Sequence, residues 1–127
     1  MEDEERDEWI AMKQKKIFEF HAEFCKTFSN SKRLEILCLL KDGELTVSDI
    51  TKKLGSSKAN VSQHLTVMRM ARIMKTRRDG VNIYYMLANK KLVKACSLMQ
   101  NALAGLMEGS HGFAKEEIAA IKGKTPR

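Results

Sequence analysis

The sequence predicts a mainly α-helical domain carrying a two-stranded β wing, a winged helix-turn-helix. Residues 46–70 read TVSDITKKLGSSKANVSQHLTVMRM, two short amphipathic helical segments joined by a glycine-containing turn. Two strand-like runs follow at once, residues 73–78 and 81–86, on either side of Asp79-Gly80. Asp-Gly between two such runs is the strongest short-range hairpin signal. The same region is basic: Lys52, Lys53, Lys58, Arg69, Arg72, Lys75, Arg77 and Arg78 stand against only Asp49 and Asp79.

Each element has its own local reason. Residues 1–8 hold six acids and one Arg and read as an acidic N-terminal extension, the solvated start of a helix. The first helix is expected over residues 9–27, where Ile17, Phe20, Phe24 and Phe28 recur at steps of three and four. Ser29-Asn30-Ser31 breaks it, and Asn30 or Ser31 caps a second helix over residues 32–40. Leu34, Ile36, Leu37, Cys38 and Leu40 make that helix nearly all buried, and Lys41-Asp42-Gly43 ends it. Thr46 opens the third helix, with Asp49 at capping-box distance in place of the usual Glu. Val47, Ile50 and Leu54 form its inner face, and Gly55 supplies a left-handed turn residue that a Cβ would resist. Ser56 or Ser57 caps the fourth helix, which turns Val61, Leu65 and Met68 inward and leaves Lys58, Asn60, Ser62, Gln63 and Thr66 to point elsewhere. After the hairpin, Asn89 caps a long last helix with Leu92, Cys96, Met99, Leu103 and Leu106 at alternating steps of four and three. Gly109 and Gly112 end it, and a short amphipathic piece over residues 114–121 precedes a basic tail. The winged domain with its flanking helices is thus expected over residues 9–108, and residues 109–127 form a C-terminal tail.

Bulk properties agree with one domain. At 127 residues and 43% hydrophobic content the chain can bury its own core. Its net charge is +7, although residues 1–8 are strongly acidic, so the body is more basic than the total. A basic body suits a polyanionic partner. No apolar run approaches the ~20 residues that span a membrane, and the acidic start is unlike a signal peptide, so a cytoplasmic protein is expected. Three cysteines at irregular spacing do not suggest a disulfide framework.

The polar residues of the fourth helix match what double-stranded DNA requires. Small polar residues at a helix start let backbone N–H groups approach phosphates, where the helix dipole favours anions. Asn60 and Gln63 have the geometry to pair with adenine edges and Lys58 with guanine. Ser57, Ser62 and Thr66 suit phosphate or base contacts. In the hairpin, Arg77 and Arg78 before the turn and Asn82 after it are placed to reach a flanking minor groove or the backbone.

Four stretches, KRLEILCLL, KDGELTVSDITKKL, GSSKANVSQHLTVM and RRDGVNIYYML, together resemble the ArsR/SmtB family of winged-helix transcriptional repressors. The most specific pieces are VSQHL at residues 61–65 and RRDG…YY at residues 77–85. The resemblance implies a homodimer packed through its first and last helices and a pseudo-palindromic operator. It also implies an effector that lowers operator affinity, and DNA contacts at Ser57, Lys58, Asn60, Ser62, Gln63, Arg77 and Arg78. His64 matches the family histidine and reads as a packing or hydrogen-bonding residue. The departures are specific. The Cys-x-Cys metal positions of many members are Thr46 and Ser48 here, poor ligands for a soft ion. The last helix holds no His and no acid before Glu108, so the other common metal site is missing as well. The usual Gly between the fourth helix and the first wing strand is Arg72. No metal and no cofactor are expected.

Cys38 matches a cysteine of thiol-sensing members, whose second cysteine falls at Ala104 here. Cys38, Cys96 and Cys25 are therefore candidate redox sensors, against a plainer reading in which each packs on an apolar helical face. The eight methionines, Met68, Met99 and Met107 among them, are read as core filling, and His21, His64 and His111 are too scattered for a ligand cluster. Three functions compete: a DNA-binding repressor, a winged-helix protein-interaction module and an enzyme. The basic stretch argues against the second, which has no need of it. The third lacks a nucleophile–base pair, a phosphate loop and metal-ligand spacing.

Overall fold

The computed structural model describes residues 2–107 and 115–123. Helix α1 (Asp3–Thr27) begins at Asp3 rather than at residue 9. The acidic residues thus form its first turns, where Asp3, Glu4 and Glu5 meet the positive end of the helix dipole. No α1 residue is buried, and only Phe24 of this helix, with the capping Phe28, packs against the core. Helix α2 (Ser31–Leu39) is capped by Asn30, whose side chain accepts from the Arg33 N–H at 3.2 Å, and it runs into a 3-10 turn at Leu40–Asp42.

A two-residue strand β1 (Leu45–Thr46) leads into α3 (Val47–Leu54). The Thr46 hydroxyl accepts from the Asp49 N–H at 3.2 Å while the Thr46 N–H donates to Asp49 Oδ2 at 3.1 Å, closing the capping box. Gly55 ends α3 at φ 70, where its lack of a Cβ is required. Helix α4 (Lys58–Met70) starts from a Ser57 cap and buries Val61, Leu65 and Met68. It closes as a Schellman motif: the Arg72 N–H reaches Arg69 O at 3.0 Å and the Ile73 N–H reaches Met68 O at 3.1 Å. The left-handed position of that motif holds Arg72 at φ 62, the site where glycine is usual.

Strands β2 (Met74–Asp79) and β3 (Asn82–Leu87) form the wing. The turn lies one residue later than the Asp79-Gly80 motif suggests: Asp79 pairs with Asn82, and Gly80-Val81 are the two loop residues. Gly80 at φ 63 in the first loop position, with no positive φ at Val81, fits a type II′ turn. The sheet is three-stranded in the order β1-β3-β2, because Leu45 and Thr46 pair with Tyr85 and Tyr84. A strand of two residues is too short to show an alternating pattern, so the sequence signals only the hairpin.

Helix α5 (Lys91–Met107) follows an Asn89 side chain that accepts from the Lys91 N–H at 2.9 Å, and α6 (Lys115–Gly123) packs on it with Ala104 and Ile118 buried. The core is Ile36, Leu37 and Leu40 with Ile50 of α3, the three buried residues of α4, and Ile73, Met74 and Leu87 at the wing root. Two expectations are corrected here. Cys25 and Cys38 are exposed, so these two thiols do not pack into the core, whereas Cys96 is half-buried against it. Met99, Leu103 and Leu106 are also exposed, since α5 touches the core through Leu92, Val93 and Cys96 instead. The expected helix stop at residues 109–112, His111 and the basic end of the chain lie outside the described residues. Among the described residues no helix is long and apolar enough to cross a membrane.

Candidate nucleic-acid interface

Helix α4 divides its residues by period. Every fourth or third position (Val61, Leu65, Met68) is turned into the core, which leaves Lys58, Asn60, Gln63 and Thr66 exposed and Ser62 half-exposed on the outer face. The Ser57 hydroxyl accepts from the Asn60 N–H at 3.2 Å and keeps its own proton to donate. Thr66 Oγ1 donates to Ser62 O at 2.9 Å, which spends its proton inside the helix and leaves an acceptor facing out. A shallow cleft of about 330 Å³ runs from Thr46, Val47 and Ser48 past Lys58 to Asn82, Ile83 and Tyr85 of the wing. The start of α4 and the wing therefore border the same concavity.

The two wing arginines part company. In a strand, successive side chains point to opposite faces. Arg78 stands opposite Ile83, on the hairpin face that also carries Tyr85. Arg77 stands opposite Tyr84, with its guanidinium 4.4 Å from the ring centroid. Its Nε donates to Glu44 Oε2 at 2.7 Å and its Nη2 donates to Oε1 of the same carboxylate. This two-point hydrogen bond holds the Glu44 carboxyl below the ordinary carboxylate range and raises the arginine further. Of the residues expected to face DNA, Arg77 alone is occupied by a partner of opposite charge. Glu44 was not visible as that partner, because it is 33 positions away in the chain.

His64, on the flank of α4, is tied to the rest of the molecule. Its Nδ1 accepts from Arg33 Nε at 3.2 Å, and Arg33 Nη1 donates to the Thr27 carbonyl at 3.2 Å. One arginine of α2 thereby links the end of α1 to the fourth helix. Burial first, then the cations of Arg33 and Lys32, keep the His64 imidazole below its usual range, so it is neutral and able to accept. Its expected hydrogen-bonding role is what the geometry displays.

Cys38 of α2 and Cys96 of α5 line one small cavity of about 20 Å³, together with Leu37 and Val93. Burial pushes the Cys96 thiol up, and the neighbouring Cys38 and Cys25 add to the shift. Among the described residues no three or more His, Cys, Asp or Glu gather as a metal site.

The sequence profile of the bacterial regulatory protein, arsR family, matches residues 30–76, which run from the α2 cap into β2. The transcriptional repressor SdpR of Bacillus subtilis is 36% identical over 76 residues, covering 60% of this chain and 84% of SdpR. The chain belongs to the ArsR family. The regulator KmtR of Mycobacterium tuberculosis is 38% identical over 68 residues, 54% of this ArsR-family chain but only 52% of KmtR, so the likeness spans about half of that protein. The homodimeric winged helix-turn-helix DNA-binding domain Mb0332 of Mycobacterium bovis superposes with a TM-score of 0.66 at 26% identity. That superposition covers 80% of this chain and 94% of the Mb0332 domain. This ArsR-family member is thus a winged helix-turn-helix transcriptional regulator.

Proposed function

We propose that this chain is a dimeric, sequence-specific repressor that inserts α4 into the major groove of a pseudo-palindromic operator. The observation that carries the reading is the outer face of α4: Lys58, Asn60 and Gln63 are exposed, turned away from the buried Val61, Leu65 and Met68. Amide side chains there suit adenine edges and the lysine suits guanine, while Ser57, Ser62, Thr66 and Arg78 supply phosphate or flanking contacts. Arg77 leaves this set because Glu44 holds it. A cytoplasmic location, beside chromosomal DNA, belongs to the same proposal.

Dimerisation is supported by apolar surface without a partner in the single chain. Phe18 and Phe20 of α1 are 70% and 72% exposed, and Leu106 of α5 is 76% exposed. Large apolar side chains exposed in such number mark a candidate interface. The homodimeric Mb0332 domain supports the same arrangement. Two copies of α4 related by a two-fold then read half-sites about 34–36 Å apart.

Effector control is the finer part of the proposal. The shared cavity of Cys38 and Cys96 favours a second reading, in which oxidation of these thiols lowers operator affinity. A mobility-shift assay on the DNA upstream of the protein's own gene, run reduced and then with peroxide, tests both. Specific binding under reducing conditions supports the repressor, and its absence at low salt refutes it. Release by peroxide in wild type but not in Cys38→Ser supports thiol control; equal behaviour of the two proteins rules it out.

A further inference from the structure

The register of the wing assigns its two adjacent arginines different jobs. Arg78 lies on the hairpin face of Ile83 and Tyr85, whereas Arg77 lies on the opposite face, stacked on Tyr84 and gripped at two points by Glu44. Glu44 immediately precedes β1, whose Thr46 pairs with the same Tyr84 that Arg77 faces from the other side. The carboxylate therefore reaches Arg77 across the width of the sheet, from a backbone anchored by the β1–β3 pairing. Both oxygens of Glu44 are used, and the planar guanidinium is fixed between a ring and an anion. A cation held this way has its charge locally cancelled.

We propose that Glu44 masks Arg77, withholding one wing cation from DNA phosphates and so limiting the affinity of the protein for any duplex. The inference rests on the DNA-binding function proposed above. Its physical basis is counterion release: each phosphate neutralised by a protein cation steepens the dependence of binding on salt and carries no sequence information. Breaking the mask at Glu44 frees Arg77 to swing from Tyr84 to the backbone. Substitution at an acidic residue then tightens binding, and it does so on unrelated DNA as well as on the operator.

The test is fluorescence anisotropy with two labelled duplexes, the protein's own upstream region and a shuffled sequence of the same composition, titrated at several monovalent salt concentrations. Wild type, Glu44→Gln, Arg77→Gln and the double variant are compared, with thermal melts confirming that each is folded. Glu44→Gln is expected to bind both duplexes about 3–10-fold more tightly at 0.1 M salt, with the slope of log K against log salt steeper by about 0.9. The same substitution made in Arg77→Gln should leave the slope unchanged. An unchanged or shallower slope in Glu44→Gln overturns the mask. So does a gain that persists in the Arg77→Gln background, which would mean that the lost negative charge alone is responsible. Wild-type preference for the upstream duplex over the shuffled one is read separately. Its absence removes the sequence-specific function while the slopes still decide the role of Glu44.

Discussion

Single side chains in α4 and at its end each give a separate test of the proposal. Gln63 is exposed on the outer face between the buried Val61 and Leu65, so removing its amide disturbs no packing. Gln63→Ala is expected to cost about 1–3 kcal/mol of operator affinity and to relax base preference at one position, read by competition with single-base operator variants. Arg72 occupies a left-handed position that costs an L-residue about 1–2 kcal/mol, while glycine there adds about 0.5–1 kcal/mol of chain entropy to the unfolded state. Arg72→Gly should therefore stabilise the fold by up to about 1 kcal/mol, seen as a higher urea midpoint with an unchanged slope. His64 adds a pH dependence. The folded protein keeps this imidazole neutral, whereas in the unfolded chain it titrates near the ordinary 6.5. Below that pH the unfolded state binds the proton more readily, so stability contributed by neutral His64 is complete at higher pH and is lost as the pH falls past 6.5. The urea midpoint of wild type should fall between pH 7.5 and 5.5 by more than that of His64→Gln, in which an amide oxygen still accepts from Arg33. Parallel profiles would remove the histidine from the account.

Among the elements, helix ends explain the accuracy of some readings and the wing explains the errors of others. Asn30, Thr46 and Ser57 all cap as their side-chain chemistry dictates, because a cap is a contact between residues two or three apart and needs nothing from the rest of the fold. Thr46 is both the α3 cap and half of β1, so Thr46→Ala should cost about 1 kcal/mol in a urea titration (range 0.5–2). The wing was legible as a hairpin from its strand runs and Asp79-Gly80. Its turn nonetheless settles on Gly80-Val81, which sets Arg77 opposite Tyr84. The short β1 strand depends on pairing between residues some forty positions apart. The Glu44–Arg77 clamp inherits this dependence.

For the molecule as a whole, the unanswered surface is the apolar one. Helix α1 buries none of its residues in the single chain, yet carries Trp9, Ile10, Ile17, Phe18 and Phe20. Phe18→Glu is expected to leave the monomer's stability within about 0.5 kcal/mol, since its ring packs on little there. It should shift the protein from dimer to monomer in sedimentation velocity and weaken operator binding by at least about tenfold, because each half-site is then bound alone. A Phe18→Glu protein that remains dimeric would move the interface elsewhere.

The sequence by itself determined the helix order, the caps, the inward stripe of α4 and hence its polar outer face. Those follow from periodicity and from contacts within one or two turns. Only the tertiary structure decided that Glu44 grips Arg77 of the wing and that Arg33 joins α1 to His64. It likewise turned Cys25 and Cys38 outward and left half of α5's apolar stripe uncovered. Each of these depends on residues far apart in the chain meeting at a particular register or packing angle, and such meetings leave no trace in local pattern.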